Sequence, residues 1–68
     1  MPVADQVRMA NDIARQFSYL SRDEAVAGIA THLRSFWDPR MRAQLRQVVA
    51  AGGQGLDPLV IEAAAHED

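Results

Sequence analysis

Apolar side chains recur every three to four residues along most of the 68-residue chain. This is the spacing of amphipathic helices rather than the alternation of strands. Val3, Val7, Ala10, Ala14 and Phe17, widened by Ile13, form a first stripe. Asp5, Arg8, Asp12 and Arg15 fall on the opposite side, with Asp12 and Arg15 spaced to pair at i,i+3. The pattern predicts a helix over about residues 4–18. Val26, Ile29, Ala30, Leu33 and Trp37 predict a second over about 22–37, and Met41, Leu45, Val48 and Val49 a third over about 39–51. Leu59, Val60 and Ile61 mark a short fourth over about 58–65. No segment alternates with period two. The expected fold is all-α: residues 1–68 as a single small helical domain of three helices with a short fourth at the C-terminal end.

Punctuation agrees with periodicity. Ser21-Arg22-Asp23-Glu24 has the form of a capping box, and its two acids sit where a helix dipole favours negative charge. Asp38-Pro39 and Asp57-Pro58 repeat one device, an N-cap carboxylate followed by a proline that suits the first helical turn. The residue before a proline disfavours the α region, so the second helix must stop at this point. Gly52 reads as the glycine just past the end of the third helix. Gly28 lies off the second stripe, where it costs about 1 kcal/mol relative to alanine unless close packing requires it. Helices two and three are expected to pack together around the Asp38-Pro39 turn. Glu67 and Asp68 oppose the dipole of the last helix and are expected to fray.

Composition narrows the possibilities. Of 33 hydrophobic residues twelve are alanine, which leaves 21 side chains able to fill a core. A domain this small sits near the lower limit of independent stability, where disulfides, metals or a partner often help. There is no cysteine, so disulfides and thiolate metal sites are excluded, and His32 and His66 do not make a closed zinc site without carboxylates. Seven arginines against nine acids give a net charge of −2, which argues against general nucleic-acid binding. The charge is uneven: residues 34–46 sum to +3 and residues 57–68 to −4. No apolar run approaches the roughly 20 residues of a membrane span, and the N-terminus lacks the pattern of a signal peptide. The expectation is a cytoplasmic chain with no membrane partner.

Candidate chemistry is sparse. Gly52-Gly53-Gln54-Gly55 lacks the Gly-Lys-Ser/Thr ending and preceding strand of a phosphate loop, and reads as a helix stop and turn. His32 lies at the edge of the second stripe, one turn before Phe36, with no carboxylate at i+4 to orient it. Trp37 falls on the core stripe and Phe36 on its flank, where an aromatic beside arginines suits an interface. Arg42 and Arg46 are like charges one turn apart. An acyl-carrier reading fails for want of an Asp-Ser-Leu attachment site. A helix-turn-helix made of helices two and three, with Arg40, Arg42 and Arg46 near a groove, is the alternative from another function class, although its joint lacks the usual glycine-bearing turn.

Three stretches resemble the delta subunit of NAD-dependent molybdenum or tungsten formate dehydrogenases: Met9-Ala10-Asn11-Asp12-Ile13-Ala14 with Phe17, the run from His32 through Phe36-Trp37-Asp38-Pro39-Arg40-Met41-Arg42, and Gly52-Gly53-Gln54-Gly55-Leu56-Asp57-Pro58-Leu59. The similarity spans about residues 7–65, and helix capping alone does not demand the central run. Asp12 and Gln47 depart from that family's usual glutamine and histidine. The resemblance implies a non-catalytic accessory subunit with no cofactor of its own. The complex it implies carries bis-molybdopterin guanine dinucleotide, iron–sulfur clusters, FMN and NAD on other subunits. Its implied partners are the large catalytic subunit and the diaphorase subunits, with no nucleic acid. The expected contact residues are Phe36, Arg40 and Arg42, with His32 at the edge, all exposed in one neighbourhood.

Overall fold

Helix boundaries follow the caps. A computed structural model describes residues 3–66 and the side chains of residues 4–66; the expectations for the Val3 side chain and for Glu67 and Asp68 lie outside the described residues. Within them are four helices and no strand: α1 (Val3–Phe17), α2 (Arg22–Phe36), α3 (Pro39–Ala50) and α4 (Pro58–Ala65). The Ser18 hydroxyl donates to the Arg15 carbonyl at 2.8 Å where α1 ends. Ser21 caps α2 by accepting from the Glu24 N–H, and its own hydroxyl donates to the Glu24 carboxylate at 2.9 Å. α2 stops one residue earlier than the stripe predicts because Trp37 leaves the helical region (ψ 137°) ahead of the extended Asp38 (ψ 164°). Asp38 and Asp57 are both N-caps, accepting from the Met41 and Leu59 N–H groups at 2.9 Å.

α3 ends in a Schellman motif. The Gly52 N–H donates to the Val49 carbonyl and the Gly53 N–H to the Val48 carbonyl, with φ of +118° and +66° at the two glycines. Gly53 is buried as well: a Cβ there would stand 2.8 Å from Cδ1 of Ile61. The reversed chain then lays α4 against α2, its principal partner.

This corrects one expectation. α2 and α3 touch each other very little; the extended Trp37-Asp38 corner directs α3 away, and α4 fills the face of α2 instead. α4 buries Val60, Ala63 and Ala64, and α2 buries Ala25, Val26, Ile29, Ala30 and Leu33. The small alanines let the two helices approach closely, and buried Trp37, Leu45 and Leu56 close the ends of the same core. α1 contributes Ala10, Ile13 and Ala14. It also contributes Gln6, buried at 1% exposure, which donates to the Gln44 side chain of α3. The Cα radius of gyration, 10.6 Å, is close to the roughly 11 Å expected of a packed domain of this length.

Candidate docking site

The C-terminal half of α2 shows what the fold leaves unused. Its inward positions, Ile29, Leu33 and then Trp37, are committed to the core. Phe36 turns outward with 75% of its surface exposed, and its ring lies against His32 with centroids 4.7 Å apart and planes tilted by 38°. The i,i+4 spacing on a helix puts the two rings on one face. His32 is half-buried, so the neighbouring core holds it and it in turn steadies Phe36.

The expected contact residues are therefore brought together in part. His32 and Phe36 touch. Arg40 is exposed in the first turn of α3, four residues beyond Phe36, which limits the separation of their Cα atoms to about 14 Å. Arg42 departs from the expectation of full exposure: it is half-buried, because its position on α3 faces along the body of the domain.

Beside Phe36 lies an open groove of about 420 Å³, bounded by Phe17 at the end of α1 and by Gly28, Thr31, His32 and Ser35 on α2. Close packing does explain Gly28. A Cβ at this position would stand 2.7 Å from Cε1 of Phe17, so glycine lets the ring lie directly on α2. Tyr19, in the turn between α1 and α2, is 81% exposed. Periodicity overlooks Tyr19 because it falls between two helical stripes. The signal available for the groove was Gly28 itself, a helix-weakening residue with no local justification.

A second groove, about 400 Å³, runs between α2 and α4 and includes Asp23, Arg34, Glu62 and His66. Across it Arg22 makes a two-pronged ion pair with Glu62, its Nε donating to Oε2 at 2.9 Å and its Nη2 to Oε1. The side-chain hydrogen bonds, then the opposite charge, raise the Arg22 pKa above its ordinary value. The same hydrogen bonds lower that of Glu62 against a partial opposing effect of desolvation. Among the described residues no group of three or more His, Cys, Asp or Glu side chains is arranged to hold a metal ion, and no helix is long and apolar enough to cross a membrane.

This end of the molecule presents an aromatic pair, a shallow apolar groove and exposed arginines. The helix-turn-helix alternative gains nothing, since the two helices that would form the motif barely meet. No curated protein and no solved structure matches the chain. A family model described as NADH-dependent formate dehydrogenase delta subunit FdsD matches residues 6–64. That span runs from the first turns of α1 into the last turn of α4 and takes in every cap and core position described above, so the chain belongs to the family of formate dehydrogenase delta subunits.

Proposed function

We propose that this chain is a non-catalytic accessory subunit that supports the assembly or stability of a cytoplasmic NAD-dependent formate dehydrogenase by docking on its large, molybdenum-containing subunit. Family membership supplies the complex. The observation that carries the docking is Phe36, an aromatic ring left 75% exposed at a helix end in a domain short of large apolar side chains. Fully burying such a ring gains roughly 1.5–3 kcal/mol, which folding leaves uncollected and a partner would recover. Arg40 and Arg42 supply fork-shaped donors suited to carboxylates, and His32 holds the ring in place. The pterin, iron–sulfur and flavin groups of the complex belong on other subunits in this reading. The donor set here suits none of them, with no cysteine for a cluster and no phosphate-binding glycine loop.

The test is purification of the complex with and without this chain. The chain is expected to co-elute with the large subunit in fixed stoichiometry, and its deletion to lower the yield of intact, molybdenum-loaded enzyme. The isolated chain is expected to oxidise no formate. A complex that assembles, loads and turns over identically in its absence overturns the proposal.

A further inference from the structure

The four helices are not held equally. α2 buries five side chains and the eight-residue α4 three, whereas α3, twelve residues long, buries only Leu45 completely. Met41, Val48 and Val49 add half-buried contacts with the same core. α3 packs on α1 and α4 and barely meets α2. The apolar surface a helix buries sets most of the cost of opening it, so α3 is the helix least costly to open.

The seam between α1 and α3 also carries a polar defect. The Nε2 of buried Gln6 donates to the Gln44 side chain, but its Oε1, buried too, has no hydrogen-bond partner among the described residues. Turning both amides over strands the Gln6 nitrogen in place of the oxygen. A buried polar atom without a partner carries the penalty of its lost hydration, which is relieved when the seam opens to water. The flanks of α3, by contrast, are held without its help. Trp37 is buried and its N–H donates to the Leu33 carbonyl of α2. At the other end Gly53 and Leu56 are buried, and Asn11 of α1 clamps Gly55 and Asp57. The segment between these anchors can leave the body while α2 and α4 stay packed.

We infer that α3 is a flap: it opens as a unit between the Trp37 and Gly53 anchors while the rest of the domain remains folded. Arg40 and Arg42 ride on this helix. Resting on the docking reading above, a partner that grips them selects the closed flap and holds it shut.

Amide hydrogen exchange on the full chain, free and in the assembled complex, tests this. In the free chain the amides from Arg42 to Ala51 should exchange together, roughly 30-fold faster than those of Ile29, Leu33 and Ala63. Their rates should also respond less steeply to denaturant, because opening the flap uncovers only part of the buried surface. Gln6→Leu with Gln44→Leu removes the stranded amide atom and should slow α3 exchange about tenfold. In the complex, α3 exchange should slow by about tenfold or more relative to the free chain. An α3 that exchanges as slowly as α2 and α4, with the same denaturant dependence, overturns the inference, and this wild-type comparison decides whether or not the double variant folds. A folded double variant with unchanged α3 exchange overturns it as well, since the opening would then owe nothing to the seam. An α3 that opens in the free chain and exchanges just as fast in the complex leaves the flap standing and overturns docking through Arg40 and Arg42.

Discussion

The two ends of the bundle treat their polar and awkward groups in opposite ways. Where α1 meets the α3–α4 connection, several of them hold the fold together. The Asn11 side chain donates to the Gly55 carbonyl and accepts from the Asp57 N–H, both at 2.8 Å, so one amide holds the loop and the cap of α4. Gly53 takes a left-handed conformation under Ile61. At the other end, where α2 gives way to α3, Asp38 is used as a cap while Phe36, Arg34 and Arg40 are left outward. One end shows what the fold needs to close. The other shows a surplus that folding does not use, and it is there that we propose docking.

Substitutions at the two ends should separate accordingly, and the largest loss is expected at Gly53. Gly53→Ala puts a side chain on a residue with φ of +66° and against Ile61, and should cost about 2 kcal/mol or more. Chemical denaturation of the isolated chain reads this as a lower midpoint; an unchanged midpoint would show that the α3–α4 connection is not closed as described. Asn11→Ala removes both loop bonds and leaves a partly buried N–H without its acceptor, a loss of about 1–3 kcal/mol. Its signature should be faster amide exchange at Asp57 and through the first turn of α4.

The cap at the open end comes next. Asp38→Ala should cost roughly 0.5–2 kcal/mol, and Asp38→Asn much less, since an amide oxygen can still accept from the Met41 N–H. Equal losses in the two variants would show that the charge, rather than the hydrogen bond, matters there.

Acid supplies a smaller effect. The Glu62 pKa is lowered in the folded chain by its hydrogen bonds to Arg22. Its contribution is therefore present above the carboxylate's unfolded pKa and is lost as pH falls through the depressed folded value. Wild type should melt slightly above Arg22→Gln at neutral pH, and the difference should vanish in acid. A gap that persists at low pH would assign it to packing of the arginine stem.

The smallest change in stability is expected where the surplus lies. Phe36→Ala with Arg40→Ala should stay within about 0.5 kcal/mol of wild type while releasing the chain from its complex in a pulldown. A large loss of stability would move Phe36 from the interface to the fold and break the contrast between the two ends.

Much of this architecture was legible because its determinants are local. Ser21, Asp38 and Asp57 each reach a backbone N–H two or three residues on, and Gly52 ends α3 through its own last turn. Such interactions depend on neighbours in sequence, so the residue types and their spacing suffice to place them. The apolar stripes likewise told which face of each helix turns inward. Ile29, Leu33 and Leu45 are buried as the periodicity required.

Which helix each face would meet was decided only in three dimensions. A stripe of valine, isoleucine and leucine fits several partners about equally well. The choice of α4 over α3 for α2 came from the extended Trp37-Asp38 corner together with the small Ala63 and Ala64. The Nε2 of the buried Gln6 gained an acceptor only once Gln44, 38 residues away, stood opposite it. Asn11 acquired its role when the loop some 44 to 46 residues later came within reach. The sequence by itself determined the helices, their ends and their inward faces, because those follow from hydrogen bonds and periodicity within a few residues. The tertiary structure decided the helix pairing, the polar clamps and the groove beside Phe36, because each requires groups distant along the chain to meet, and that depends on how all the faces pack at once.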